Sequence, residues 1–210
     1  MGREAKILLG IAFGVAVVVS GLIIANSSNT AQVQPKADGD KLVKADSHQT
    51  KPGAKVTLVE FGDIQCPACG QAQPVIEQVR QQYPDTVNLV FRHFPLRQIH
   101  QNAENAAQAS EAGGEQGKFF ELVSLMYAKQ AEWSNLPNPY PKFEEYAKSL
   151  GLDIGQFKSA YDAKKFTELI KRDEADGSAL GVNATPTFYV NGQQTQTAQL
   201  KATVDTAVKQ

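Results

Sequence analysis

The period of the hydrophobic positions changes along this chain, and the changes divide it. Residues Ile7 to Ala25 are apolar or small, with no charged side chain. As a helix this run would be roughly 28 Å long, close to the ~30 Å hydrocarbon core of a bilayer. It has no polar face, which argues against a buried helix of a water-soluble domain. Arg3 and Lys6 precede it, and Asn26-Ser27-Ser28-Asn29-Thr30 follow. The pattern therefore predicts one N-terminal transmembrane helix over 7–25, with residues 1–6 in the cytoplasm and the rest of the chain on the other side. A cleaved signal peptide, giving a secreted protein, is the competing reading. Its cleavage sites, however, would put Ile23 or Asn29 where a small residue is needed. Residues 26–50 are polar and aperiodic, with Asp38-Gly39-Asp40 among them. They read as a flexible linker, with at most a short strand at Leu42-Val43.

From residue 51 the periods are those of a packed domain. Val56-Thr57-Leu58-Val59-Glu60-Phe61 reads as a buried strand. A helical pattern follows through Pro74, Val75, Ile76 and Val79, and stops near Tyr83-Pro84. Val87 to Phe91 gives a second strand, so the three segments form a βαβ unit with parallel pairing and a right-handed crossover. A helical block comes next. Ala103, Ala106, Ala107 and Ser110 share one face; Gly113-Gly114 marks an interruption; Phe119, Phe120, Val123, Leu125 and Met126 make a strongly apolar helix. The Pro-rich stretch 135–141 reads as a loop. Further helices carry Phe143, Tyr146, Ala147 and Leu150, then Phe157 behind a capping Asp153, then Phe166, Leu169 and Ile170. Thr187 to Val190 is a strand, Asn191-Gly192 a hairpin turn, and Gln193 to Gln196 the returning edge strand. Leu200, Thr203, Val204, Ala207 and Val208 close the chain as an amphipathic helix. The order βα, β, helices, ββα defines an α/β fold.

Composition narrows the function. A net charge of −1 over 210 residues gives no footprint for nucleic acid. The chain has two cysteines, too few for a disulfide scaffold, so the fold rests on its apolar core. Both stand in Cys66-Pro67-Ala68-Cys69, at a strand-to-helix junction. There the unpaired backbone N–H groups and the positive end of the helix dipole stabilise a thiolate at Cys66. Two sulfurs at this spacing can close a disulfide and reopen it, one attacking a partner and the other resolving the mixed disulfide. Half a zinc site is the rival reading, but His93 and His100 lack the spacing of a second ligand pair. A purely structural disulfide would close a loop too short to stabilise much. Glu60 shares a strand face with Val56 and Leu58, and a charge there needs a task or a partner. It reads either as a proton carrier or as one half of a salt bridge to a lysine. No role follows for His93 and His100 beyond the surface or a domain edge. Trp133 and the phenylalanines read as core of the helical block.

Three separated stretches carry a resemblance. They are Val59-Glu60-Phe61-Gly62-Asp63-Ile64-Gln65-Cys66-Pro67-Ala68-Cys69, then Glu115-Gln116-Gly117-Lys118-Phe119-Phe120, then residues 181–192, Gly-Val-Asn-Ala-Thr-Pro-Thr-Phe-Tyr-Val-Asn-Gly. In this order they resemble the DsbA family of thiol–disulfide oxidoreductases, in its membrane-anchored form. The resemblance implies a thioredoxin fold from 51–97 and 181–210 with an inserted helical domain over 98–180. It implies Cys66 as nucleophile and Cys69 as resolving thiol. A cis Pro186, which composition alone would leave trans, would face Cys66 and offer the backbone of Thr185 to an extended substrate. Pro67 and Ala68 would touch that substrate, and Glu60 would move protons to and from Cys69. No cofactor is implied. Exported proteins with free thiols are the implied substrates, and a quinone-linked membrane protein the implied re-oxidant. No separate dimerisation domain is recognisable, so a monomer is expected. The best-known oxidase of the family has histidine where Ala68 stands, so a milder oxidant is expected. A tethered reductase or isomerase, or a peptide-binding chaperone module, are the alternatives.

Overall fold

The computed structural model describes residues 36–210, so the transmembrane helix expected over 7–25 lies outside the described residues. Among the described residues no helix is long and apolar enough to cross a membrane. The elements in chain order are α1 (Gly39–Leu42), β1 (His48–Gln49), β2 (Val56–Gly62), α2 (Pro67–Gln82) and β3 (Val87–His93). The helical block follows: α3 (Ala103–Gly114), α4 (Phe119–Ala128), α5 (Gln130–Trp133), α6 (Tyr140–Ser149), α7 (Ile154–Asp162) and α8 (Thr167–Ala179). Then come β4 (Thr187–Val190), β5 (Gln193–Thr195) and α9 (Leu200–Lys209). The sheet order is β1-β3-β2-β4-β5. β2 pairs parallel with β3, as the βαβ reading requires, and antiparallel with β4, Phe61 opposite Thr187.

Alternation along β2 separates two apolar layers. Val56 and Leu58 pack with Ile76 and Val79 of α2 and with Leu200 and Val204 of α9. Val59 and Phe61 face the other way, against Leu42, Val90, Val182 and Tyr189. A third cluster belongs to the helical block and includes Leu122, Met126, Trp133, Phe143, Tyr146 and Phe157. Cys66 and Cys69 lie in this third cluster. The redox pair therefore stands on the sheet's own helix but is walled in by the insert.

Three expectations need correction. The flexible linker over 26–50 is folded in its described part. Ala37 N–H donates to the Gly192 carbonyl at 2.8 Å, Leu42 is 4% exposed, and His48–Gln49 is an edge strand on β3. Residues 39–42 form a helical turn capped by Asp38, not a strand at Leu42-Val43. The physical reason is Arg92, a buried guanidinium that needs partners. It donates to Asp173 and Asp176 of α8 at 2.8 and 2.7 Å and to the Lys41 carbonyl at 2.6 Å, which fastens α1 to the domain. Gly113-Gly114 interrupts the helical run as expected. It ends α3 and lets it come close to its neighbours: a methyl on Gly113 would meet Leu122 at 2.6 Å, and one on Gly114 would meet the His48 ring at 2.5 Å. His93 is buried rather than at the surface. Its Nε2 donates to Glu111 at 2.8 Å, while His48 donates to the second Glu111 oxygen at 2.9 Å. Burial alone would raise the Glu111 pKa, but the two imidazoles pull it down to about 2.

Candidate active site

Cys66 is the N-cap of α2 and Pro67 the first helical residue, a position where a missing N–H costs nothing. Cys69 sits one turn in. Both are free thiols here; Cys66 is 6% exposed and Cys69 wholly buried. Pro67 and Ala68 are exposed beside them. Across the gap, at the start of β4, the Thr185–Pro186 peptide bond is cis. As a thiol, Cys66 Sγ donates to the Thr185 carbonyl at 3.4 Å. The Thr185 hydroxyl is buried beside it with no hydrogen-bond partner.

The two sulfurs are driven apart in acidity. Cys66 has its pKa pulled down to about 5, chiefly by a hydrogen bond from Cys69. Burial works against this, while Thr185 and the N–H groups of Cys69 and Ala68 add to it. Cys69 goes well above the ordinary thiol range, because it is buried, donates to Cys66 and faces Glu60. The result is one thiolate and one thiol at neutral pH, the poise that disulfide exchange requires.

Glu60 lies at the end of β2, 2% exposed, and its Oε1 has no hydrogen-bond partner. Among the described residues no lysine pairs with it, and the salt-bridge alternative finds no partner there. Burial, helped by the Cys66 charge, raises its pKa to about 8. It is therefore a protonated acid at neutral pH, able to give and retake a proton.

The loop that presents Cys66 is held by residues that periodicity does not single out. Asp63 accepts from the Gln65 N–H at 2.8 Å, the Leu96 N–H at 2.8 Å and His100 Nδ1 at 2.7 Å. The first of these is an Asx turn, legible in a sequence as Asp just before a helix start. Gln130 reaches from α5 and donates to the Ile64 and Cys66 carbonyls at 2.8 and 3.1 Å. Gln65 accepts from the Asn102 N–H at 2.6 Å and donates to the Ser134 carbonyl at 2.8 Å. These long-range amide contacts have no sequence signal. Among the described residues, no group of three or more His, Cys, Asp and Glu side chains is placed to hold a metal ion.

A thioredoxin-like sheet, a Cys-x-x-Cys helix N-terminus and a cis proline facing it define a thioredoxin-fold protein with a redox-active pair. Residues 43–210 match the thioredoxin family, and the chain belongs to it. A thioredoxin-like oxidoreductase from Silicibacter pomeroyi superposes with a TM-score of 0.67 at 27% identity, over 83% of this chain and 99% of that one. The oxidised form of BdbD from Bacillus subtilis shares the fold, with a TM-score of 0.70 at 20% identity, over 83% of this chain and 97% of its own. So does DsbG from Mycobacterium tuberculosis, a disulfide bond oxidoreductase, with a TM-score of 0.63 at 19% identity, over 80% and 90%. In sequence, a Mycobacterium chain named Na(+)/H(+) antiporter NhaA 1 is 40% identical over 147 residues, 68% of this chain. The match takes up 23% of that relative, so this chain spans about a quarter of its length.

Proposed function

We propose that this protein is a thiol–disulfide oxidoreductase that works outside the cytoplasm, anchored by residues 7–25, and oxidises cysteine pairs of exported proteins. The observation that carries the reading is the geometry of the pair: Cys66 at the N-cap of α2, 3.4 Å from the carbonyl of the cis Thr185–Pro186 bond, with Cys69 buried one turn behind it. In the forward cycle a substrate thiolate attacks Cys66 Sγ of the enzyme disulfide. A substrate–Cys66 bond forms, the Cys66–Cys69 bond breaks, and the electron pair goes to Cys69. Glu60, protonated at neutral pH, supplies the proton that Cys69 takes up. The second substrate thiolate then attacks the substrate sulfur of the mixed disulfide, and Cys66 leaves as a stable thiolate. The substrate loses two electrons and the enzyme pair gains them. The apolar run with its basic flank supports the anchor and the outward placement of the domain. A quinone-linked membrane protein is the proposed re-oxidant, and a monomer the proposed state.

Equilibrating the Cys66–Cys69 pair with glutathione tests this. A reduction potential well above the roughly −270 mV of thioredoxin is expected, and would support net oxidation. A value that low would make the chain a reductase or isomerase instead. Holdase activity that survives replacement of both cysteines, with no exchange activity in the parent, would favour a peptide-binding module.

A further inference from the structure

The peptide planes from Ile64 to Pro67 together aim the Cys66 side chain. Two of them are held from nearby: the Gln65 N–H donates to the Asp63 carboxylate at 2.8 Å, and the Cys66 N–H to the Asp63 carbonyl at 2.9 Å. The next plane joins Cys66 to Pro67, which has no N–H. Its one hydrogen-bonding handle is the Cys66 carbonyl. That oxygen accepts from the Gly70 N–H at 3.2 Å, at the long end of the usual range, and from Gln130 Nε2 at 3.1 Å. The same Nε2 donates to the Ile64 carbonyl at 2.8 Å, so one side-chain amide grips the planes before and after Gln65 and Cys66. Gln130 is itself held. Its carbonyl accepts from the Ser134 N–H at 3.0 Å and from the Ser134 hydroxyl. In return the Gln65 amide donates to the Ser134 carbonyl at 2.8 Å. Two glutamines thus tie the Cys66 loop and the α5 turn to each other in both directions.

We infer that Gln130 is a positioning residue for disulfide exchange, which holds the Ile64 and Cys66 carbonyls from the insert and so keeps Cys66 Sγ at the N-cap place of α2 when the disulfide is open. The inference rests on the exchange reading of the site and gives the helical insert a part in the chemistry. Cys66 is an N-cap with extended backbone, φ −68° and ψ 123°, and no side-chain cap hydrogen bond is made there. The first-turn N–H groups of a helix converge on the N-cap side chain. The sulfur receives their field only while the Cys66 ψ stays at that value, and ψ is what a fixed Cys66 carbonyl sets. In the oxidised protein the Cys66–Cys69 bond restrains this geometry covalently. In the reduced protein, the state described here, both thiols are free and that restraint is gone. Gln130 then supplies it through the two carbonyls. A Cys66 thiolate held at the helix start leaves more readily, and a stabilised reduced form makes the pair a stronger oxidant.

Gln130→Met in the full chain tests this, because methionine keeps the length of the side chain, loses the donor and removes no charge. Two quantities are read that a packing role would not move: the pH midpoint of the thiolate's ultraviolet absorbance in the reduced protein, and the equilibrium constant with glutathione. The midpoint is expected to rise by about one pH unit, the worth of about one net hydrogen bond. The equilibrium is expected to shift about tenfold toward the protein disulfide, a reduction potential lower by about 30 mV. Urea unfolding of the reduced protein is recorded alongside. An unchanged midpoint or an unchanged equilibrium constant, whatever the loss of stability, would make Gln130 a packing residue only and overturn the inference. Should Gln130→Met not fold, Gln130→Asn, which keeps the amide but is one methylene too short to reach both carbonyls, is read in the same way. A parent protein that does not exchange with glutathione refutes the exchange reading, and this role falls with it. A parent that exchanges, with either quantity unmoved in the variant, refutes this inference alone.

Discussion

At the scale of single residues the site is a device for separating two similar groups. A thiol, a second thiol and a carboxyl would ionise near 9, 9 and 4.5 in water; here they stand at about 5, well above 9, and about 8. Position alone does this. Cys66 has the Cys69 hydrogen bond and the helix-terminal donors, while Cys69 and Glu60 are raised by burial and by the charge on Cys66. Two predictions belong here. Between the pKa values of Cys66 and Cys69 the reduced pair carries one proton, so the reduction potential should fall by about 30 mV per pH unit, steepening to about 59 mV below pH 5. A plot with no change of slope near pH 5 would refute the low Cys66 pKa. Glu60 also taxes stability. From pH 4.5 to 8 the folded, reduced protein keeps a proton that the unfolded chain releases, so stability falls as pH rises through that window. Glu60→Gln should therefore stabilise the reduced protein by on the order of 3 kcal/mol at pH 7 and hardly at all at pH 4, by urea unfolding. It should also slow the release of Cys69. Equal stabilisation at both pH values would mean that Glu60 is not protonated on folding.

At the scale of elements, the helical layer and the edge strand are joined by close approach. His48 of β1 stacks on Phe119 of α4 with ring centroids 3.6 Å apart, and bonds Glu111 of α3. Gly114 leaves the room for this imidazole. Because His48 is held on two sides, it cannot move away from an added methyl. Gly114→Ala should cost about 1–2 kcal/mol through overpacking, more than the helix preference of alanine returns at a helix end. A melting temperature at or above that of the parent would show that β1 yields easily. The hairpin turn shows the same economy in a form the sequence does announce: Asn191 and Gly192 both take positive φ, 49° and 86°, as a type I′ turn requires.

At the scale of the whole molecule, the folded unit begins before the thioredoxin match does. The match starts at residue 43, yet Leu42 is buried with Val59, Phe61, Val90 and Tyr189. Leu42→Ala should then cost about 2–4 kcal/mol in chemical denaturation, the usual price of a buried leucine. No loss would mean that residues 36–42 lie outside the cooperative unit. The polar composition of this segment hid its packing, because one leucine and one backbone carbonyl do the fastening. Arg92 was equally hidden: within an apolar strand, nothing local says that Asp173 and Asp176, some eighty residues on, will meet it.

The sequence by itself determined four of the five described strands, most of the helices, the parallel βαβ unit, the hairpin and the redox pair. These depend on neighbours within a few residues, through side-chain periodicity, turn conformation and the donors at a helix start. It also located Glu60 as a charge out of place on an apolar face. Only the tertiary structure decided what that charge meets, that Thr185 and Cys66 come together, that His93 and His48 share Glu111, and that Gln130 reaches the Cys66 carbonyl from the insert. Each of those contacts joins residues far apart in the chain, and burial fixes the acidity of a group only once the chain has closed around it.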